Sequence, residues 1–153
     1  MDRAIEEKLV RNFVEKRIQD RVLYELTSNK TDEYAKNFKR YGDLKYYPLR
    51  QHAIGRFAHR ADDHLKKQHI HLEKKEITID EVEKEINKLC TPTKQCYIMG
   101  TVHDGECMSL RKALEISFDY IGESIVVIRD NIVFLKEEGC FRIPTKYILF
   151  KKT

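Results

Sequence analysis

A chain of 153 residues with 41% apolar and 35% charged side chains can bury one core of its own and is too apolar for a disordered segment. Its 29 Lys and Arg against 25 Asp and Glu leave a net charge of +4. No unbroken apolar run exceeds four residues, which excludes a membrane-spanning helix of ordinary length. The first residues carry no apolar stretch of the kind a secretory signal needs, so a cytoplasmic location is expected.

Residues 2–28 read as one long helix, because Ile5, Leu9, Phe13, Val14, Ile18, Val22 and Leu26 recur near the helical period. Asp2, Glu6 and Glu7 stand where a helix dipole favours negative charge. A helix of this length also permits a homodimer through a coiled-coil seam. Residues 30–47 mix bases with rings and suggest a short helix capped by Thr31 and ended by Gly42. Tyr46-Tyr47-Pro48 then reads as extended. Over residues 49–67 the helical period returns, with Leu49, Ala53, Ile54, Phe57, Ala58, Ala61 and Leu65 on one face. Residues 67–75 read as polar and irregular. A third clear helix covers residues 79–90, capped by Thr78 or Asp80 and stopped by Thr91-Pro92-Thr93.

The pattern then changes. Residues 96–99 read as a strand and 101–107 as a loop around Asp104-Gly105. Ser109 caps a helix with Leu110, Ala113 and Leu114 facing inward. Residues 124–128 and 132–135 form a hairpin about Asp130-Asn131, two types that tolerate positive φ. Residues 146–150 supply a last strand. The expected fold class is α+β: N-terminal helices, with a long first one, followed by a small, mostly antiparallel sheet with one helix between strands. A single domain over 1–153 is expected, helical to about residue 92 and sheet from about residue 93.

Little of the sequence carries chemistry. Cys90, Cys96, His103 and Cys107 are separated by five, six and three residues, unlike the two tight pairs of a structural zinc site. Cys90 and Cys96 fit buried apolar positions beside a turn. Cys107 with His103 as its base would be a nucleophile without an activating context. No Gly-rich phosphate loop, dinucleotide fingerprint, nucleophile elbow or EF-hand loop occurs. Asp104-Gly105-Glu106 is explained as a turn. Glu137 and Glu138 are adjacent, and neighbouring strand residues point to opposite faces. The expectation is a non-enzyme with no metal and no cofactor.

Charge is the remaining signal. Residues 30–75 hold twelve Lys or Arg, six Asp or Glu and five of the six histidines (His52, His59, His64, His69 and His71), so the rest of the chain is net acidic. Tyr34, Phe38, Tyr41, Tyr46 and Tyr47 are interleaved with the bases. Cations with rings suit a macromolecular partner, because Arg and Tyr anchor protein interfaces. The expected partner surface is Lys39, Arg40, Tyr41, Tyr46, Arg56, His59 and Arg60, with another protein as occupant. RNA or DNA is the alternative occupant of the same face.

The order of motifs resembles a group of small uncharacterised bacterial α+β proteins. The residues that carry it are 21–28 (RVLYELTS), 55–59 (GRFAH), 96–99 (CYIM) with Asp104-Gly105, Leu110, Ala113 and Leu114, the 125–128 strand, 133–138 (VFLKEE) and 146–149 (KYIL). In size and architecture the chain also looks like the immunity partners of bacterial polymorphic toxins. That likeness implies a non-catalytic inhibitor, and the net charge of +4 would suit an acidic toxin.

Overall fold

Asp2 opens the first helix by accepting hydrogen bonds from the N–H groups of Ala4 and Ile5 at 3.0 and 3.2 Å. The computed structural model describes residues 2–28, 49–59, 61–91, 95–139 and 142–152. Helix α1 spans Arg3–Phe13 and buries Glu6, Leu9, Val10 and Phe13. The expected single helix over 2–28 is two helices. Val14 is extended at φ −91° and ψ 140° and bridges to Leu65. The Glu15 N–H donates to the His64 carbonyl and the Lys66 N–H to the Phe13 carbonyl, both at 2.8 Å. A 3-10 turn at Lys16–Ile18 leads into α2, Gln19–Thr27.

The expected helix over 49–67 is likewise divided, into α3 (Leu49–His59) and the short α4 (Ala61–His64), followed by a 3-10 turn at Lys67–His69. Strand β1, Ile70–Lys74, follows within the stretch that reads as irregular. Helix α5, Ile79–Leu89, starts at the expected cap: Thr78 and Glu81 form a full capping box. Strands β2 (Cys96–Met99) and β3 (Cys107–Met108) precede α6, Leu110–Asp119, capped by Ser109. Strands β4 (Ser124–Arg129), β5 (Ile132–Lys136) and β6 (Lys146–Phe150) complete the chain. The β4–β5 turn falls at Asp130-Asn131, but no described non-glycine residue has positive φ; the register shifts between Val127 and Arg129 instead.

The α+β class is therefore observed, with a sheet of six strands rather than four. Its order is β1-β6-β5-β4-β2-β3, and every neighbouring pair is antiparallel. Strand alternation sorts the apolar residues into two cores. Tyr97, Met99, Ile125, Val127, Val133, Leu135 and Leu149 pack with α1–α4. Cys96, Ile98, Val126, Ile128, Phe134 and Ile148 pack with α5 and α6. Helices thus cover both faces, which is why the central strands read as unbroken apolar runs. The helical and sheet parts are not consecutive, since β1 lies before α5 and forms one edge of the sheet. No described helix is long and apolar enough to cross a membrane.

Candidate functional site

Several charged groups of this fold are spent inside it. Arg50, in the first turn of α3, has a side chain only 9% exposed. Its Nη1 and Nη2 donate to the two Glu6 oxygens at 2.6 and 2.8 Å, and its Nε and Nη2 to the two Asp104 oxygens at 2.7 and 2.9 Å. Nη1 also donates to the Leu26 carbonyl at 3.1 Å. Every N–H of the guanidinium is thereby used. Burial pulls its pKa down, but the bonds to Asp104 and Glu6 outweigh that and hold it above the ordinary range. Tyr97 donates to Glu6 at 2.5 Å and accepts from the Asp2 N–H.

Asp104 reaches Arg50 because its loop turns on two glycines. Gly100 and Gly105 have φ of 91° and 87°, values that suit glycine. A Cβ at Gly100 would sit 2.7 Å from the Glu123 carbonyl oxygen and 2.9 Å from Ile54.

Lys136, also buried, donates to the carbonyls of Tyr120, Gly122 and Glu137 at 2.7, 2.8 and 3.2 Å. Burial pushes its amine down to about 8 against the opposing pull of Glu123. Ser117 and Ser124 are hydrogen-bonded to each other in the same interior. Lys136 thus closes off carbonyls at the end of the strands.

The exposed feature is the end of the sheet where β4 turns into β5, β6 stops and β1 begins. Two shallow hollows lie there. One, of about 560 Å³, is lined by Asn12, Arg129, Asp130, Asn131, Lys151 and Lys152. The other, of about 480 Å³, is lined by Gln68, His69, His71, Phe150 and Lys152. They share Lys152. Lys8 reaches Asp130 at 3.1 Å. Lys151 donates to Asn12 at 3.3 Å, and Lys66 to the Arg11 carbonyl at 3.0 Å. His69 packs edge-on against Phe13 with ring centres 6.1 Å apart. Its pKa is lowered first by burial, then by the charges of Lys151 and Lys66. Arg129, Lys151 and Lys152 line the first hollow with Asp130, which Lys8 pairs, and Lys66 and Lys151 stand near His69; Arg129 also donates to the Thr91 carbonyl at 2.7 Å, and Glu85 lies near His71. Among the described residues, Asp130 with Lys8 is the one ion pair on this face.

Of the expected partner surface, only Arg56 and His59 are among the described residues. Lys39, Arg40, Tyr41, Tyr46 and Arg60 lie outside the described residues, as do Cys140 and the short helix expected between Thr31 and Gly42. His59 is the last residue of α3. Arg56 is turned inward: its side chain is 15% exposed, with Nε 3.1 Å from the buried Glu25. His103 pairs with Glu106 at 2.9 Å, and no described contact joins it to Cys107. Cys96 is buried, Cys90 half-buried and Cys107 exposed. No group of three or more His, Cys, Asp or Glu among the described residues is placed to hold a metal. Glu137 is buried and accepts from the Thr145 N–H at 3.0 Å, whereas Glu138 is exposed.

Of the basic end, the window count over residues 30–75 reaches Lys66 and the histidines but misses Lys8, Arg129, Lys151 and Lys152, which the fold gathers from elsewhere. The Lys151-Lys152 pair just past the last strand was the available signal. Glu6 had one too, since it lies on the same helical face as Leu9 and Phe13. Compared with protein-family models, curated proteins and solved structures, the chain finds no match.

Proposed function

We propose that this protein is a non-catalytic binding module that holds an anionic macromolecule against the basic end of its sheet. The observation that carries this reading is the gathering of Lys8, Lys66, Arg129, Lys151 and Lys152 at the end of the sheet that holds two open hollows. The charges of Arg50 and Lys136 are met by partners within the fold, so this reading assigns them a structural part. The free thiols of Cys90 and Cys107 fit a reducing cytoplasm.

The test compares two charge reversals of equal size. Lys151→Glu/Lys152→Glu alters the face, and Lys84→Glu/Lys112→Glu alters exposed positions on α5 and α6. On a heparin column the wild type is retained, and the face variant elutes at lower salt than the control. Equal elution of both variants would mean that net charge alone governs retention, and the face would lose its role. Matching thermal midpoints show that both variants fold.

A further inference from the structure

The occupant of the basic end can be narrowed by its side-chain chemistry, given the binding role proposed above. We infer that this face takes the phosphodiester backbone of a single-stranded nucleic acid, with bases resting on the ring edge formed by Phe150 and His71.

Four of its five cations are lysines. Lysine is a flexible point charge that binds phosphates as Arg does, but unlike Arg it is depleted in protein interfaces. Among the described residues, the exposed large apolar side chains that could anchor a protein, Tyr24, Val102, Ile121 and Ile143, are absent from the linings of both hollows. Ile121 and Ile143 belong to the loops at the opposite end of the strands, where the Gly139 N–H meets the Ile121 carbonyl.

The face also has a matching length. Arg129 ends β4 and Ile70 begins β1, three steps apart in the order β1-β6-β5-β4. At about 4.8 Å per step this is roughly 14 Å, a span for about three phosphates of an extended single strand, whose phosphates stand farther apart than the roughly 3.4 Å rise of a duplex strand. At the β1 end His71 and Phe150 lie edge to face with ring centres 6.0 Å apart. Phe150 is partly exposed there, and an aromatic edge beside cations is the pairing that single-strand binders use.

Three neutralised phosphates give a salt slope of about −2.1 for a single strand, so affinity should fall roughly 18-fold between about 50 and 200 mM salt. The measurement is fluorescence anisotropy of a short labelled oligothymidylate, with labelled polyglutamate as the second probe. The expected result is oligonucleotide binding with that salt loss. Lys151→Glu/Lys152→Glu should weaken it and flatten the slope, while Phe150→Leu should weaken it with the slope kept. Binding of polyglutamate alone would overturn the nucleic-acid inference and make an acidic protein the occupant, leaving the binding role intact. Binding of neither probe would overturn both. Oligonucleotide binding indifferent to Lys151 and Lys152 would also overturn the inference, because the nucleic acid would then sit elsewhere.

Discussion

Arg50 ties together parts of the chain that are far apart in sequence: Glu6 on α1, the last turn of α2, and the loop that carries Asp104. Its worth lies less in the attraction itself than in what its removal would leave behind. Glu6 is 3% exposed and the Asp104 side chain 20%, so Arg50→Met strands two carboxylates that water scarcely reaches. Breaking one side of a buried pair costs about 3–5 kcal/mol, and denaturant unfolding should show a loss of that size. Arg50→Lys should recover only part of it, since an ammonium cannot match the planar fork that meets both carboxylates. A loss below about 1 kcal/mol for Arg50→Met would show that water enters and solvates the site. Only half of this network is legible in the sequence. Glu6 betrays itself by sitting on an apolar helix face, but nothing local joins Arg50 to Asp104, because their contact depends on the Gly100 and Gly105 turns.

At the scale of elements, periodicity identifies residue types better than it locates breaks. Phe13, Val14, Val22 and Leu26 are all buried, so the apolar rhythm runs through residues 2–28 although the helix does not. What breaks it is tertiary: Val14 leaves the helix to bridge Leu65. Gln19 stabilises the break, donating to the Val14 carbonyl at 2.9 Å and accepting from Arg11 at 2.9 Å. Gln19→Ala should therefore lower stability by about 1–2 kcal/mol, the cost of leaving a buried carbonyl unpaired. Urea unfolding should show a lower midpoint with an unchanged m-value. An unchanged midpoint would mean that the bridge holds the break without Gln19. Strand β1 stayed illegible for a different reason. It is a half-exposed, polar edge with a register shift between Ile70 and Leu72, and an edge strand needs no apolar run. The central strands were legible because both of their faces are covered.

For the molecule as a whole, the buried titratable groups set how stability depends on pH. His64 and His69 both lie below the ordinary 6.5, with burial the largest cause. The unfolded chain therefore takes up these protons first. Stability is lost as pH falls through about 6.5 and keeps falling until the folded groups also protonate. Lys136 behaves similarly on the alkaline side. Its folded amine releases a proton near 8, while the unfolded side chain holds one to 10.5, so stability rises between those values. Tyr97 opposes this above pH 10.0, because burial and its bond to Glu6 raise its pKa: the unfolded phenol ionises first, and that contribution is lost. The thermal midpoint should thus climb as pH rises toward 6.5, hold to about 8, climb again, and turn over above about 10. His64→Gln/His69→Gln should flatten the acid limb and leave the alkaline one in place. A midpoint that rises on acidification would reverse the assigned sign for both histidines. The same titration bears on the basic end. Protonating His69 beside Lys66 and Lys151 adds charge to a face already rich in cations, so acid should tighten anion binding while it weakens the fold.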